Sequence, residues 1–273
     1  MSHTETELGS QKSIVLSLAK GFAVLEAFRA PDREMTLSQI ASRTSLDPGT
    51  AFRLVKTLLQ LGYLEQIEGT KRYRLGMKVL DLGFDAIAQR DLHSSSRPIL
   101  RSLVGEVNEA ASIGVLDGAD VIYIERVHAG LVRLGVQIHI GSRIPAYCSA
   151  LGQSILAYLP EEKRNKILGM RERVQLTPKT LVTLHDIGQR LQQVRQQGYA
   201  VSDGETVNGL RVLAAPILDA DNQPYGAVSV TAPSLPRPVE EFIFAARKPL
   251  LHAAEELGRL LRLTGSATVT TNA

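Results

Sequence analysis

The chain has 273 residues, enough for two domains at about 150 residues each. Its 44% hydrophobic and 22% charged composition excludes wholesale disorder and fibrous classes, and a lone cysteine, Cys148, excludes an intramolecular disulfide framework. No run approaches 18 apolar residues and MSHTETELGSQK lacks a signal-peptide pattern, so a soluble cytoplasmic protein with no membrane partner is expected.

The net charge of +3 is unevenly placed. Residues 36–78 hold seven basic residues (Arg43, Arg53, Lys56, Lys71, Arg72, Arg74, Lys78) against three acidic ones, while residues 79–273 hold 20 of each sign. A localised basic excess suits a surface that meets phosphates, although a solvated face would look the same on charge alone.

Ser17 to Phe28 places Leu18, Phe22, Leu25 and Phe28 on one helical stripe, with Ser17 as a possible cap. Thr36 is placed to cap a second short helix carrying Leu37, Ile40 and Ala41 on its apolar side. Thr44 to Pro48 forms a turn that ends in a capping Asp47 and a proline at the first helical position. A third helix, Pro48 to Leu61, has Ala51, Leu54, Val55, Leu58 and Leu59 on its core face. Thr50, Arg53, Lys56 and Thr57 lie on its other face, and Gly62 suits a left-handed cap. Residues 63–75 then alternate, break at Glu68-Gly69-Thr70 and resume, which reads as a hairpin with a basic tip. In this order the elements describe a winged helix-turn-helix: helix-turn-helix at about 36–55, wing at about 63–75.

A recognition helix in a major groove about 12 Å wide exposes only one stripe to base edges. Arg53 suits a guanine edge, and Thr50 or Thr57 a thymine methyl or a phosphate. Lys56, Lys71, Arg72 and Arg74 suit phosphates, which add affinity without sequence choice. Gly49 and Thr50 allow the helix start to approach a phosphate closely. Thr36 and Ser38, at the start of the second helix, complete the candidate DNA-contacting set.

The runs LAKGFAVLEAF, MTLSQIASRTSLDPGTAFRLVKTLLQLGYLE and RYRLGMKVLDLG resemble the winged-helix half of IclR-type (isocitrate lyase regulator) transcriptional regulators. VIYIERV, GSRIPAYCSALGQSILAYLP, QQGYAVSDGETVNGLRVLAAPILD and YGAVSVTAP resemble the effector-binding half, so the likeness runs from about Leu16 to Leu263. It implies an α+β chain with an N-terminal winged helix-turn-helix, a linker helix and a C-terminal GAF/PAS-like effector domain built on an antiparallel sheet. It also implies homodimers, often paired as tetramers on operator DNA. Two of the phrases, LAKGFAVLEAF and GSRIPAYCSALGQ, are similar to the branch governing aromatic-acid catabolism, the protocatechuate and 4-hydroxybenzoate type. The expected division is a DNA-binding domain at 14–77, a linker at 78–97 and an effector domain at 98–264, with 1–13 and 265–273 disordered.

Read on its own pattern, Val79 to Leu92 is helical until His93 to Pro98 breaks it, and a second helix runs from Ile99 to about Glu109. Ser112 to Val127 is a strand, an Asp-Gly turn and a strand. Leu131 to Ile140 alternates as another strand. Helices follow at about Leu151–Tyr158, Glu161–Leu168 and Leu184–Gln197, then a hairpin at Val212–Leu218 and Tyr225–Val230, then a final helix at Pro238–Leu263. Without repeated βαβ units this favours an antiparallel sheet.

The free N–H groups of the helix starting near Leu151, with Ser149 beside them, form a carboxylate site. The family's effector positions fall on Ala150, Leu151, Ser202, Val212, Ser229 and Thr231. Members that bind glyoxylate or pyruvate have Asp in place of Ser202 and Cys in place of Val212. Those departures leave a roomier, less acidic pocket, suited to an aromatic or larger carboxylic acid. Tyr123, Arg133 and Tyr147 are further candidates, and Arg133 reads equally well as an exposed strand charge.

Cys148 lacks a nearby His or second Cys and reads as a small buried residue; the six scattered histidines show no metal spacing, so neither metal nor cofactor is expected. Ser17-Leu18-Ala19-Lys20 matches S-x-x-K by letter, but its partner motifs and every other catalytic signature are missing. A ligand-responsive DNA-binding regulator is therefore expected, not an enzyme. The alternatives are a regulator without a ligand, whose C-terminal half only oligomerises, and, behind it, an S-x-x-K type hydrolase.

Overall fold

The computed structural model describes residues 14–29, 32–88, 92–128, 138–235 and 237–264. The segments 1–13 and 265–273, for which disorder was expected, lie outside these, as does Arg133. The chain divides into two compact units, residues 1–86 and 87–273, with the boundary inside the segment expected to link the domains.

In the first unit α1 (Leu16–Glu26), α2 (Leu37–Thr44) and α3 (Pro48–Gln60) surround a core of Val24, Phe28, Met35, Ile40, Val55, Leu58 and Leu64. Ser17 is not the cap of α1: the N-cap is Val15, without a side-chain hydrogen bond, and Ser17 lies inside the first turn. The expected apolar stripe is also displaced, since Leu18 and Phe22 are exposed while Val24, Ala27 and Phe28 are buried. The helix ends at Glu26, so Phe28 reaches the core through non-helical backbone and does not extend the stripe.

Thr36 caps α2 in a reciprocal pair, its Oγ1 accepting from the Gln39 N–H at 3.4 Å while Gln39 Oε1 accepts from the Thr36 N–H at 2.9 Å. Ser45, in the left-handed region at φ 54°, makes the turn between the two helices. Asp47 Oδ1 accepts the Thr50 N–H at 2.9 Å to open α3. Gly62, at φ 79°, closes it by letting the Gly62 and Tyr63 N–H groups return to the Leu59 and Leu58 carbonyls. Of the expected core face, Ala51, Val55 and Leu58 are buried, whereas Leu54 and Leu59 are half-buried.

Strands β2 (Leu64–Gln66) and β3 (Arg72–Leu75) form the wing, with Glu65 opposite Arg74. A two-residue strand too short to show a pattern, β1 (Met35–Thr36), adds to the far edge of β3.

α4 (Lys78–Ala88) is followed by α5 (Leu92–Val107). The break expected at His93–Pro98 is thus helical, with Pro98 inside α5. Pro98 forfeits one backbone hydrogen bond, but burial of Ser96, Leu100 and Leu103 holds the helix on the sheet.

The sheet of the second unit is wholly antiparallel, in the order β6 (Arg143–Pro145), β5 (Asp120–Val127), β4 (Ala110–Asp117), β9 (Pro224–Pro233), β8 (Leu210–Leu218), β7 (Ala200–Asp203). Strand β6 and strand β7 were not expected from the sequence. Most of the strand expected at Leu131–Ile140 lies outside the described residues, and Ile138–Ile140 is not strand.

One sheet face packs on α5 and the long α9 (Val239–Thr264), through Leu100, Leu103, Phe242, Leu250 and Leu257. Each such side chain contributes about 1.5–3 kcal/mol. The other face is covered by α6 (Ala150–Leu156) and, with it, α7 (Glu161–Gly169) and α8 (Leu184–Gln197), which supply Leu151, Ile155, Ile167, Ile187 and Leu191. No helix of the described residues is long and apolar enough to cross a membrane.

Candidate nucleic-acid interface and effector pocket

The exposed face of α3 carries Gly49, Arg53, Lys56 and Thr57, with Thr50 half-buried. Arg53 Nη2 lies 3.5 Å from Thr50 Oγ1, and Thr57 Oγ1 donates to the Arg53 carbonyl at 2.9 Å. The basic excess is smaller in effect than in count. Arg43 is consumed by the Ala27 carbonyl and an ion pair with Asp32, and Lys78 donates to the Leu61 carbonyl at 3.1 Å over the Tyr63 ring. Arg74 pairs across the wing with Glu65 at 3.0 Å.

Among the described residues Arg53, Lys56 and Lys71 enter no ion pair, and Arg72 only donates to the Glu34 carbonyl at 3.4 Å. Thr36 is committed to its cap, while Ser38 is exposed. The helix face and the wing therefore present Arg53, Lys56, Lys71 and Arg72 outside any ion pair among the described residues, an arrangement suited to a polyanion.

In the second unit the candidate effector residues gather on the sheet face covered by α6. Ser202, Val212 and Thr231 form one cross-strand row over β7, β8 and β9; Ala200, Ala214, Ser229 and Ser112 form the next. The hydroxyl residues of both rows are buried, and Ser202 Oγ has no hydrogen-bond partner. α6 lies over them, tied down by a 2.9 Å bond from Ser154 Oγ to the Ala214 carbonyl.

Ser149 caps α6 by accepting the Gly152 N–H at 3.1 Å, and no hydrogen bond among the described residues uses the Ala150 or Leu151 N–H. A side chain at Gly152 would meet the Ala146 backbone at 2.2 Å, so glycine lets the turn from Ala146 fold directly against the helix.

Tyr123 shares this face, buried, its phenol pushed up to about 12 by burial. Tyr147 is buried as well, but its hydroxyl donates to the Val174 carbonyl at 2.5 Å and is not directed at the rows. Cys148 is buried, its thiol pushed up to about 11 chiefly by burial.

Reasoning from sequence missed a charged cluster: Glu205 is buried with Oε1 2.8 Å from Arg190 Nη1 and Oε2 unpartnered, and Arg190 also donates to the Val201 carbonyl at 3.1 Å. It missed Arg126 and Ser112 too. Two surface depressions, of about 960 and 680 Å³, are lined by none of these residues.

Residues 17–68 match the IclR helix-turn-helix domain and residues 84–259 match the bacterial transcriptional regulator IclR C-terminal domain. The chain belongs to the IclR family. It is 37% identical over 218 residues to the Pca regulon regulatory protein of Pseudomonas putida, covering 79% of this chain and 73% of that one. A transcriptional regulator from Rhodococcus sp. RHA1 superposes with a TM-score of 0.81 at 32% identity, over 93% of this chain and all of the other. An IclR homologue from Microbacterium hydrocarbonoxydans, complexed with 4-hydroxybenzoate, gives a TM-score of 0.77 at 25% identity, over 90% of this chain and 99% of that one. The IclR family consists of transcriptional regulators, not enzymes, and the chain has its helix-turn-helix and effector-binding halves in family order.

Proposed function

We propose that this protein binds operator DNA as a dimer or tetramer and that a small aromatic carboxylic acid, held in the second unit, modulates that binding. The observation that carries the effector half is the pair of cross-strand rows beneath α6, where Ser202, Ser229 and Thr231 are buried, together with the unused N–H groups of Ala150 and Leu151 on the covering helix. Buried hydroxyls and free donors around an apolar helix suit an acid with an apolar body. Ser202 and Val212, the positions where keto-acid-binding relatives have Asp and Cys, are direct cross-strand partners. The two departures therefore remove a carboxylate and a thiol from the same spot. The 4-hydroxybenzoate complex of the Microbacterium homologue and the name of the Pseudomonas relative support an aromatic acid.

In the DNA-binding half, Arg53, Lys56 and Thr50 on α3 read and grip the major groove, and Lys71 and Arg72 hold phosphates from the wing. The acid shifts the populations of two arrangements of the dimer, and a coupling of about 1–3 kcal/mol alters operator occupancy roughly 5–150-fold.

The test is fluorescence anisotropy with operator fragments, with and without 4-hydroxybenzoate, 3,4-dihydroxybenzoate or pyruvate. An aromatic acid is expected to change affinity where pyruvate does not, and Ser229→Ala to blunt that response while leaving ligand-free DNA binding intact. A response confined to pyruvate would overturn the aromatic assignment, and no response to any acid would favour a C-terminal half that only oligomerises.

A further inference from the structure

Strand β5 carries a cation into the interior. Arg126 stands opposite Ser112, in the row that continues through Ser229 and Ala214 beneath α6. Only 7% of it is exposed. Its Nη1 donates to Ser112 Oγ at 2.7 Å, and its buried Nε finds no acceptor. No hydrogen bond among the described residues uses Nη2 either. Nε and Nη2 form one edge of the planar guanidinium, the pair of parallel donors that grips a carboxylate by both oxygens.

Among the described residues no ion pair neutralises this charge. The titratable neighbours of Arg126 are the Tyr123 phenol and His128, itself next to His139. Glu125 is opposite Ile113, so it belongs to the other sheet face, and its Oε1 accepts the backbone N–H of Arg126. The sequence at 129–137, AGLVRLGVQ, contains no acid. Removing an unpaired guanidinium from water costs several kcal/mol, and arginine cannot shed the cost by losing its proton. A sheet face that keeps such a group beside buried hydroxyls is built to be completed by an anion.

We propose that Arg126, oriented by Ser112 and joined by the Ser229 hydroxyl, takes the effector's carboxylate through its free Nε–Nη2 edge. This rests on the effector reading above and narrows it: the acid group lies over β4, β5 and β9, and the Ser202–Val212 pair receives the remainder of the molecule. Ser229 Oγ, whose present bond to the Ser112 carbonyl is a long 3.5 Å, is available to turn toward the ligand.

The experiment is calorimetry on the full-length protein with 4-hydroxybenzoate, benzoate and 3,4-dihydroxybenzoate, and with the neutral 4-hydroxybenzamide. The wild-type chain is expected to bind at least one of the acids. Arg126→Gln should then weaken the acid about 30-fold or more, the scale of a lost bidentate charged contact, and change amide binding by less than about threefold. Ser112→Ala, a milder change in case Arg126→Gln does not fold, should weaken the acid about 5–10-fold with the amide again unaffected. A folded Arg126→Gln, or Ser112→Ala in its place, that keeps the acid affinity within about threefold would overturn the anchor and leave the effector reading standing. Wild-type protein that binds none of the three acids would overturn both.

Discussion

Arg53 and Thr50 lie one helical turn apart on α3, with Arg53 Nη2 3.5 Å from Thr50 Oγ1. That contact is too long to hold the guanidinium, so the side chain is available to a guanine edge. Arg53→Ala is expected to lose about 1–3 kcal/mol on the operator and far less on random duplex. Competition binding at fixed salt checks this; equal losses on both duplexes would make Arg53 a phosphate contact.

The two ends of the wing should differ. Lys71 enters no ion pair among the described residues, whereas Arg74 is held 3.0 Å from Glu65. Lys71→Ala is expected to weaken binding to every duplex and reduce the slope of log affinity against log salt by about 1, while Arg74→Ala changes the slope less. A salt titration of both variants decides it, and a reversed order would show that the Glu65 pair opens on DNA.

Cys148 should be chemically quiet. The thiolate is the reactive form, and burial keeps the thiol at about 11, well above the usual range. At pH 8 a thiol reagent is expected to label the native protein at least tenfold more slowly than the unfolded protein, from the thiolate fraction alone. Comparable rates would mean that the turn before α6 opens readily.

Asp203 links the sheet edge to acid stability. Burial alone would raise its carboxyl, but hydrogen bonds from Arg211 at 2.7 Å and Lys179 at 3.0 Å outweigh it and hold the pKa below the ordinary value of 3.8. A group depressed in the folded state stabilises above its unfolded pKa and loses that contribution as pH falls through the folded value. Stability should therefore decline below about pH 4, and in Asp203→Asn this part of the acid sensitivity should disappear. Denaturant melts between pH 3 and 6 compare the two; parallel curves would remove Asp203 from the acid response.

Much of this was legible in the residues themselves. Thr36 with Gln39, Asp47 with Pro48, and Gly62 are local signals whose hydrogen bonds close within a few residues, so the helix-turn-helix followed from the sequence. Pro98 misled because its local effect was outweighed by burial of Leu100 and Leu103, which depends on a distant sheet. β1, β6 and β7 are two to four residues long and exist only because a partner strand supplies their bonds.

The candidate effector site marks the same boundary. Sequence alone determined the order of the halves, the caps of α2 and α3 and the concentration of charge between residues 36 and 78, because each depends on neighbours along the chain. Tertiary structure decided which cations are free and which are spent, and which face Arg126 occupies. Strict alternation from Val121 and Tyr123 would put Glu125 beneath α6 and Arg126 on the other side. A register shift opposite Ile113 and Gly114 inserts Ile124 as an extra residue and reverses the phase, turning the arginine inward. A bulge is set by the pairing of two strands, and period-two reading of either strand alone cannot register it.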